Sequence, residues 1–247
     1  ARNTPDGLYV FSCGIAAKQM ADKVNARIVS NGVKGEVHTY SVTDYAESVI
    51  NAASGVYSDK AVNAVKAMLN YGTAAQQYFG YNTDNPANSI MTDDDKNMDM
   101  VGFNTYTGKL VNADSVSGIS YYGSSLVLES DTILRNYFEL SDGYSIDNYT
   151  FYVKDKDGNK NIIVPQKTDA SLYYIDISNV KAYELADNVN IYVQKNGDSE
   201  DKIMMLEYGA YVYARYVDKY LDNTALKNLM TAMYHYCNAA TEYANIY

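Results

Sequence analysis

Apolar positions along this chain follow two different rhythms. In residues 42–53, 58–79 and 223–245 they recur three and four apart, the spacing of a helix with one buried face. Across most of the remainder they alternate every second residue, as half-buried strands do. Taken in order, the pattern predicts strands over 8–12 and 22–30, a turn at Asn31-Gly32, and a return strand over 36–42. A helix follows through about Ala53, capped by Thr43 or Asp44, with Val42, Ala46, Val49, Ile50 and Ala53 on one face. A second helix opens at Ser58 and runs to Phe79 before Gly80. Beyond residue 118, strands are expected over 125–129, 132–140, 149–153 and 161–164, the last two joined by an Asp157-Gly158 turn. Further strands over 171–177, 188–195 and 202–206 lead to helices near 207–221 and 223–245.

Two of these helices carry one pattern, A-M-x-x-Y-x-x-A-A-x-x-Y. It occurs at Ala67–Tyr78 and again at Ala232–Tyr243, an offset of 232 − 67 = 165 residues. The same offset matches Tyr9-Val10 to Tyr174-Ile175, Met20-Ala21-Asp22 to Leu185-Ala186-Asp187, Val24-Asn25 to Val189-Asn190, and Asn31-Gly32 to Asn196-Gly197. One inserted residue later, Val37 corresponds to Ile203 and Tyr45 to Tyr211. Repetition on so long a period predicts a duplicated domain rather than a solenoid. The expected fold class is α+β: an internally duplicated unit of antiparallel β-strands followed by an antiparallel helix pair. The divisions are 1–81, a first unit with strands and helices; 82–118, a connector; and 119–247, a second unit with about six strands. The first unit lacks opening strands. Either the chain is a fragment cut through that unit, or a connector strand fills the gap.

The connector is rich in Asn, Asp, Thr and Gly, with short strands expected near 100–103 and 109–111. Asp93, Asp95, Asn97 and Asp99 follow the alternate spacing of the first half of a calcium loop. Met98 stands where that loop needs Gly, and Asn104 where it needs the closing Glu. Calcium is thus a candidate ligand set against a solvated acidic turn; no other cofactor is expected.

Composition narrows the partners. The 247 residues carry a formal net charge of −10, which argues against nucleic acid and anionic membrane surfaces. No run of eighteen apolar residues is present, so no membrane insertion is expected. Two Cys, Cys13 and Cys237, give no disulfide framework; two free buried thiols are expected over a bridge between the units. The two His, His38 and His235, lack metal spacing, and nothing around Cys13 suggests a nucleophile pair. Phosphate loops and nucleophile elbows are absent. Carboxylates at Glu129, Asp131, Glu139 and Asp142 cluster about one strand pair, where surface charge explains them better than glycoside hydrolysis. The sequence therefore points away from an enzyme.

Tyr is the unusual feature: 27 Tyr against 5 Phe and no Trp. Those shared by both copies, such as Tyr71, Tyr78, Tyr236 and Tyr243, read as packing residues. Unshared Tyr are the candidate ligand platform: Tyr121, Tyr122, Tyr137, Tyr144, Tyr173, Tyr192 and Tyr213, with Tyr216 and Tyr220 in stripe with Tyr213. Flat rings near amide and carboxylate acceptors suit sugar rings.

Three phrases carry a resemblance: YSVTDYAE at Tyr40–Glu47, VKAMLNYGTAAQQYF at Val65–Phe79 and GYNTDN at Gly80–Asn85. They resemble a recurring module of large surface and cellulosome-associated proteins of anaerobic Gram-positive gut bacteria, and 171–187 is similar to it too. The resemblance covers roughly residues 8–85 and 120–245. It implies an extracellular, cell-surface, multi-modular parent and no catalytic set. The expected function is a non-catalytic module that binds plant cell-wall or host glycans or aids attachment. The alternative is a structural spacer or a protein-interaction module touching other modules of the parent. A polysaccharide-active enzyme comes third.

Overall fold

The computed structural model describes residues 2–3, 9–100, 116–128, 132–155, 157–178, 180–184, 189–199, 203–207 and 223–245. Over these residues the protein is α+β, with two cores: one helical, one between sheets.

The sheet core is built from the second half of the chain. One four-stranded antiparallel sheet has the order β11-β12-β8-β7, where β7 is Ile119–Leu128, β8 Thr132–Leu140, β11 Gln166–Lys167 and β12 Tyr173–Ile177. The other has the order β10-β9-β13-β14, where β9 is Tyr149–Lys154, β10 Lys160–Ile163, β13 Asn190–Lys195 and β14 Ile203–Glu207. Alternation decides what lies between them: Leu134, Phe138 and Ile175 from the first, Phe151, Ile191, Val193 and Met204 from the second. Phe138 meets Phe151 edge to face at 5.1 Å, a favoured aromatic geometry. A bulge interrupts β7, since Tyr121 pairs with Phe138 but Gly123 with Tyr137. Tyr122 is thereby the extra residue, and Ser124, Leu126 and Leu128 keep the inward phase.

Among the described residues up to 100, the strands form short pairs. β1 (Arg2–Asn3) pairs with β2 (Tyr9–Val10), β3 (Val24–Ala26) with β6 (His38–Tyr40), and β4 (Val29–Ser30) with β5 (Val33–Lys34), all antiparallel. The expected 22–30 strand is thus split. Asn31 and Gly32 both have positive φ, 49° and 80°, as a two-residue hairpin turn requires.

Helix α1 is Val42–Ile50, capped by Ser41, whose Oγ accepts from the Asp44 N–H at 3.0 Å. The cap therefore lies two residues before the expected Thr43. Helix α2 is Asp59–Phe79, capped by Ser58 and closed by left-handed Gly80 (φ 61°). A one-turn helix, α3, spans Asp93–Lys96, and α4 spans Thr224–Ala244 with Asn223 as its cap. Helices α2 and α4 are both 21 residues long, and their caps, Ser58 and Asn223, lie 165 positions apart. Two 3₁₀ turns, Ala17–Gln19 and Ala182–Glu184, keep the same spacing and pack on α2 and α4 respectively.

An intra-unit helix pair was the expected packing, and α1 does touch α2. The principal partner of α2, however, is α4 from the other end of the chain. Leu69, Tyr71, Ala74 and Ala75 share a core with Leu226, Leu229, Met230, Met233 and Cys237. On another side of α2, Gly72 allows the close approach of Met20 and Ala87: a Cβ there would sit 2.8 Å from Met20 Sδ and 3.0 Å from Ala87 Cβ. Both Cys are free. Cys13 is exposed and Cys237 buried, so the expectation of two buried thiols fails at Cys13, which the packed core does not reach.

Candidate functional site

The candidate Tyr residues are distributed over several surfaces. Tyr121 points into the sandwich, edge-on to Phe138 at 6.2 Å, with its hydroxyl on Ser124 Oγ. Its bulge neighbour Tyr122 is 63% exposed. Tyr144 lies against left-handed Gly118, beneath the Lys195 ammonium and beside Ser117 Oγ (3.1 Å). Tyr173 is half-buried under Lys167. Tyr192 stacks on fully buried Tyr152 at 5.1 Å and 10°, with Lys154 and Lys160 over the two rings. Tyr213, Tyr216 and Tyr220 lie outside the described residues, as do Glu129 and Asp131.

One candidate, Tyr137, belongs to a polar-aromatic cluster on the outward face of the first sheet. Strand phase puts Arg135 and Tyr137 of β8 outward, because Leu134, Asn136 and Phe138 are buried. On the neighbouring β12, Tyr174 pairs with Tyr137 and Asp176 with Arg135. The Tyr137 and Tyr174 rings stand 6.1 Å apart at 50°. Arg135 binds Asp176 through two parallel bonds, Nε to Oδ1 at 2.7 Å and Nη2 to Oδ2 at 2.8 Å, while its guanidinium lies 4.1 Å over the Tyr174 ring. Such a fork fixes the guanidinium plane. Tyr174 donates to Gln166 Oε1 at 2.5 Å, and Ser125 Oγ donates to Tyr137 at 3.3 Å. Rings, a charged fork, an amide and hydroxyls thus share one half-exposed face. Tyr174 was missed by the sequence reading because its counterpart is Tyr9, which marked it as a repeated packing residue.

A second feature is a cavity of about 240 Å³ between α2, α4 and the start of the connector. Asn70, Thr73, Gln77, Asn88, Lys96 and Thr231 line it. Asn70, Thr73 and Gln76 are buried on a helix otherwise rich in Ala, and each holds the connector. Asn70 donates to the Asp95 carbonyl at 2.8 Å, and Asn88 Nδ2 donates to Asn70 Oδ1 at 2.8 Å. Thr73 Oγ1 accepts from the Asn88 N–H; Gln76 accepts from the Ala87 N–H and donates to the Asn82 and Asn85 carbonyls. From α4, His235 Nε2 meets the Asp99 carbonyl at 2.8 Å.

This strap contains the calcium candidates. Thr92 caps α3, and the Asp95 carboxylate is taken by Lys66 Nζ (2.8 Å) and Thr92 Oγ1 (2.9 Å). Lys66 holds that carboxyl below the usual range, ahead of the opposing effect of burial. Asp93 points to solvent with Lys96 3.6 Å away, Asn97 follows in extended backbone, and the Asp99 carbonyl meets His235. Among the described residues no group of three or more His, Cys, Asp or Glu is placed to hold a metal ion, and no helix is long and apolar enough to cross a membrane.

Comparison with protein-family models, curated proteins and solved structures gives no match.

Proposed function

We propose that this chain is a non-catalytic extracellular module that binds glycans through the outward face of the β11-β12-β8-β7 sheet. One observation carries the reading: Tyr137 and Tyr174 lie side by side beside the Arg135–Asp176 fork. A sugar ring can rest on the tyrosines while its hydroxyls bond the fork, Gln166 and Ser125. The test is a pull-down and array on cellulose, hemicellulose, pectin, starch and mucin glycans, comparing wild type with Tyr137→Ala and Arg135→Lys. Binding reduced at least tenfold by both changes, with melting temperature retained, is the expected result. Binding to none of these glycans, or binding indifferent to both changes, overturns it.

We further propose that residues 8–80 and 172–245 are two copies of one unit. Equal helix length, equivalent caps and equivalent 3₁₀ turns at one offset support this. A protein-interaction module is the second reading of function. It is favoured by exposed apolar side chains gathered in the first copy, among them Tyr9, Phe11, Ile28, Val33, Val37 and Tyr40.

A further inference from the structure

We infer that the free edge of β3 is a docking site for an extended partner strand, antiparallel to Val24–Val29 and acidic where it faces Arg27. The inference rests on the proposed duplication. Under it, β3 and β6 correspond to β13 and the middle of β14, which pair in the same antiparallel sense. In the second copy, β13 has another neighbour on its far side, β9, bonded from Ile191↔Val153 to Lys195↔Tyr149. In the first copy the sheet stops at two strands, and among the described residues nothing pairs with that side of β3.

The side chains record the difference. Val193, opposite Phe151 of β9, is 0% exposed; its counterpart Ile28 is 73% exposed. Ile191 is likewise fully buried, whereas its counterpart Ala26 is exposed. Residues 25–40 are exposed throughout, although they include Ile28, Val29, Val33, Val37 and Tyr40. An apolar hairpin with one unused edge recruits a strand through main-chain hydrogen bonds, with alternate side chains adding specificity.

Charge selects the occupant. Tyr192 of β13 faces Tyr152 of β9. The position equivalent to Tyr192 is Arg27, exposed and without an ion pair among the described residues. A chain of net charge −10 presents this cation within a stretch, residues 25–40, that is exposed throughout. The residue opposite Arg27 should therefore be Glu or Asp, flanked by the apolar side chains that β9 supplies as Phe151 and Val153.

The test uses the full chain and three synthetic peptides: the β9–β10 hairpin sequence of residues 149–164, the same peptide with Tyr152→Glu, and the β8 sequence of residues 132–140. Hydrogen exchange of residues 24–30 and fluorescence anisotropy of labelled peptide are the readouts. The expected result is protection of 24–30 by the hairpin peptides and not by the β8 peptide. The Glu peptide should bind roughly two- to fivefold tighter, the range of one cross-strand ion pair, and lose that gain in Arg27→Gln protein. Ile28→Asp, a surface change, should abolish binding without lowering the melting temperature. Equal protection by the β8 peptide would overturn the equivalence with the second copy and with it the stated occupant. No protection by any peptide would overturn the docking site while leaving the glycan reading and the duplication to their own tests.

Discussion

Tyr71 and Tyr236 stack on one another with ring centres 5.8 Å apart and planes 23° from parallel, although 165 residues of chain separate them. Under the proposed duplication each is the other's equivalent. The contact would then join the two helices at a point where the chain meets its own copy. Truncating the buried Tyr71 should cost about 3–5 kcal/mol, as large-to-small changes of buried aromatics do, and truncating the partly buried Tyr236 should cost less. Tyr71→Ala and Tyr236→Ala together should lose less than the sum, with a coupling of roughly 0.5–1.5 kcal/mol. Urea unfolding of the two single variants and the double variant measures this.

The same pair makes the protein alkali-sensitive. Burial raises both phenols above the usual tyrosine value, Tyr71 by more. Below about pH 10 both folded and unfolded chains keep these protons and the stabilisation is complete. As pH rises from there toward the raised folded values, the unfolded chain ionises first and stability falls. Melting temperature should decline steeply above about pH 10, and less steeply in Tyr71→Phe. A decline unchanged in that variant would assign the effect elsewhere.

On the acid side the strap is the sensitive part. Asp95 has a folded value below the ordinary carboxylate range, chiefly because Lys66 bonds it. Its contribution is present above about pH 4 and is lost as pH falls through the lower folded value. Exchange of the amides of residues 85–97 should quicken below about pH 4 before that of α2 does. Asp95→Asn should give the quickened rate already at neutral pH.

Gly72 lies where α2 touches Met20 and Ala87. Ala is the better helix former by roughly 1 kcal/mol. The added methyl nevertheless meets Met20 Sδ at 2.8 Å and Ala87 Cβ at 3.0 Å, and overpacking costs about 1–3 kcal/mol. Gly72→Ala should be destabilising by a net of about 1 kcal/mol. A rise in melting temperature would show that Met20 moves aside freely.

Elements with local punctuation were legible in the sequence. Ser58 and Gly80 mark both ends of α2, and Leu134, Phe138 and Leu140, all in one phase, mark β8 within Thr132–Leu140. Periodicity tells which face of a helix is buried and not against what; the α2–α4 contact was invisible for that reason. The bulge at Tyr122 could not be seen, because one extra residue inverts the faces of everything after it. Asn70, Thr73 and Gln76, three apart on an Ala-rich helix, were the available signal for the strap: a polar stripe there must hold something. The tyrosine cluster was half legible. Tyr137 was named because it has no matching Tyr at the repeat offset, whereas Tyr174, matched by Tyr9, needed the β8–β12 register to bring it alongside.

The shared helical core also sets an order of events during synthesis. Helix α2 emerges with Leu69, Tyr71, Ala74 and Ala75 turned toward a partner that is translated 165 residues later. At ordinary elongation rates that interval is roughly 10–30 s. Throughout it the nascent chain carries an apolar stripe that α4 covers in the folded protein. The strap of residues 82–99, made immediately after α2 and bonded along its polar stripe, can settle on it long before α4 arrives.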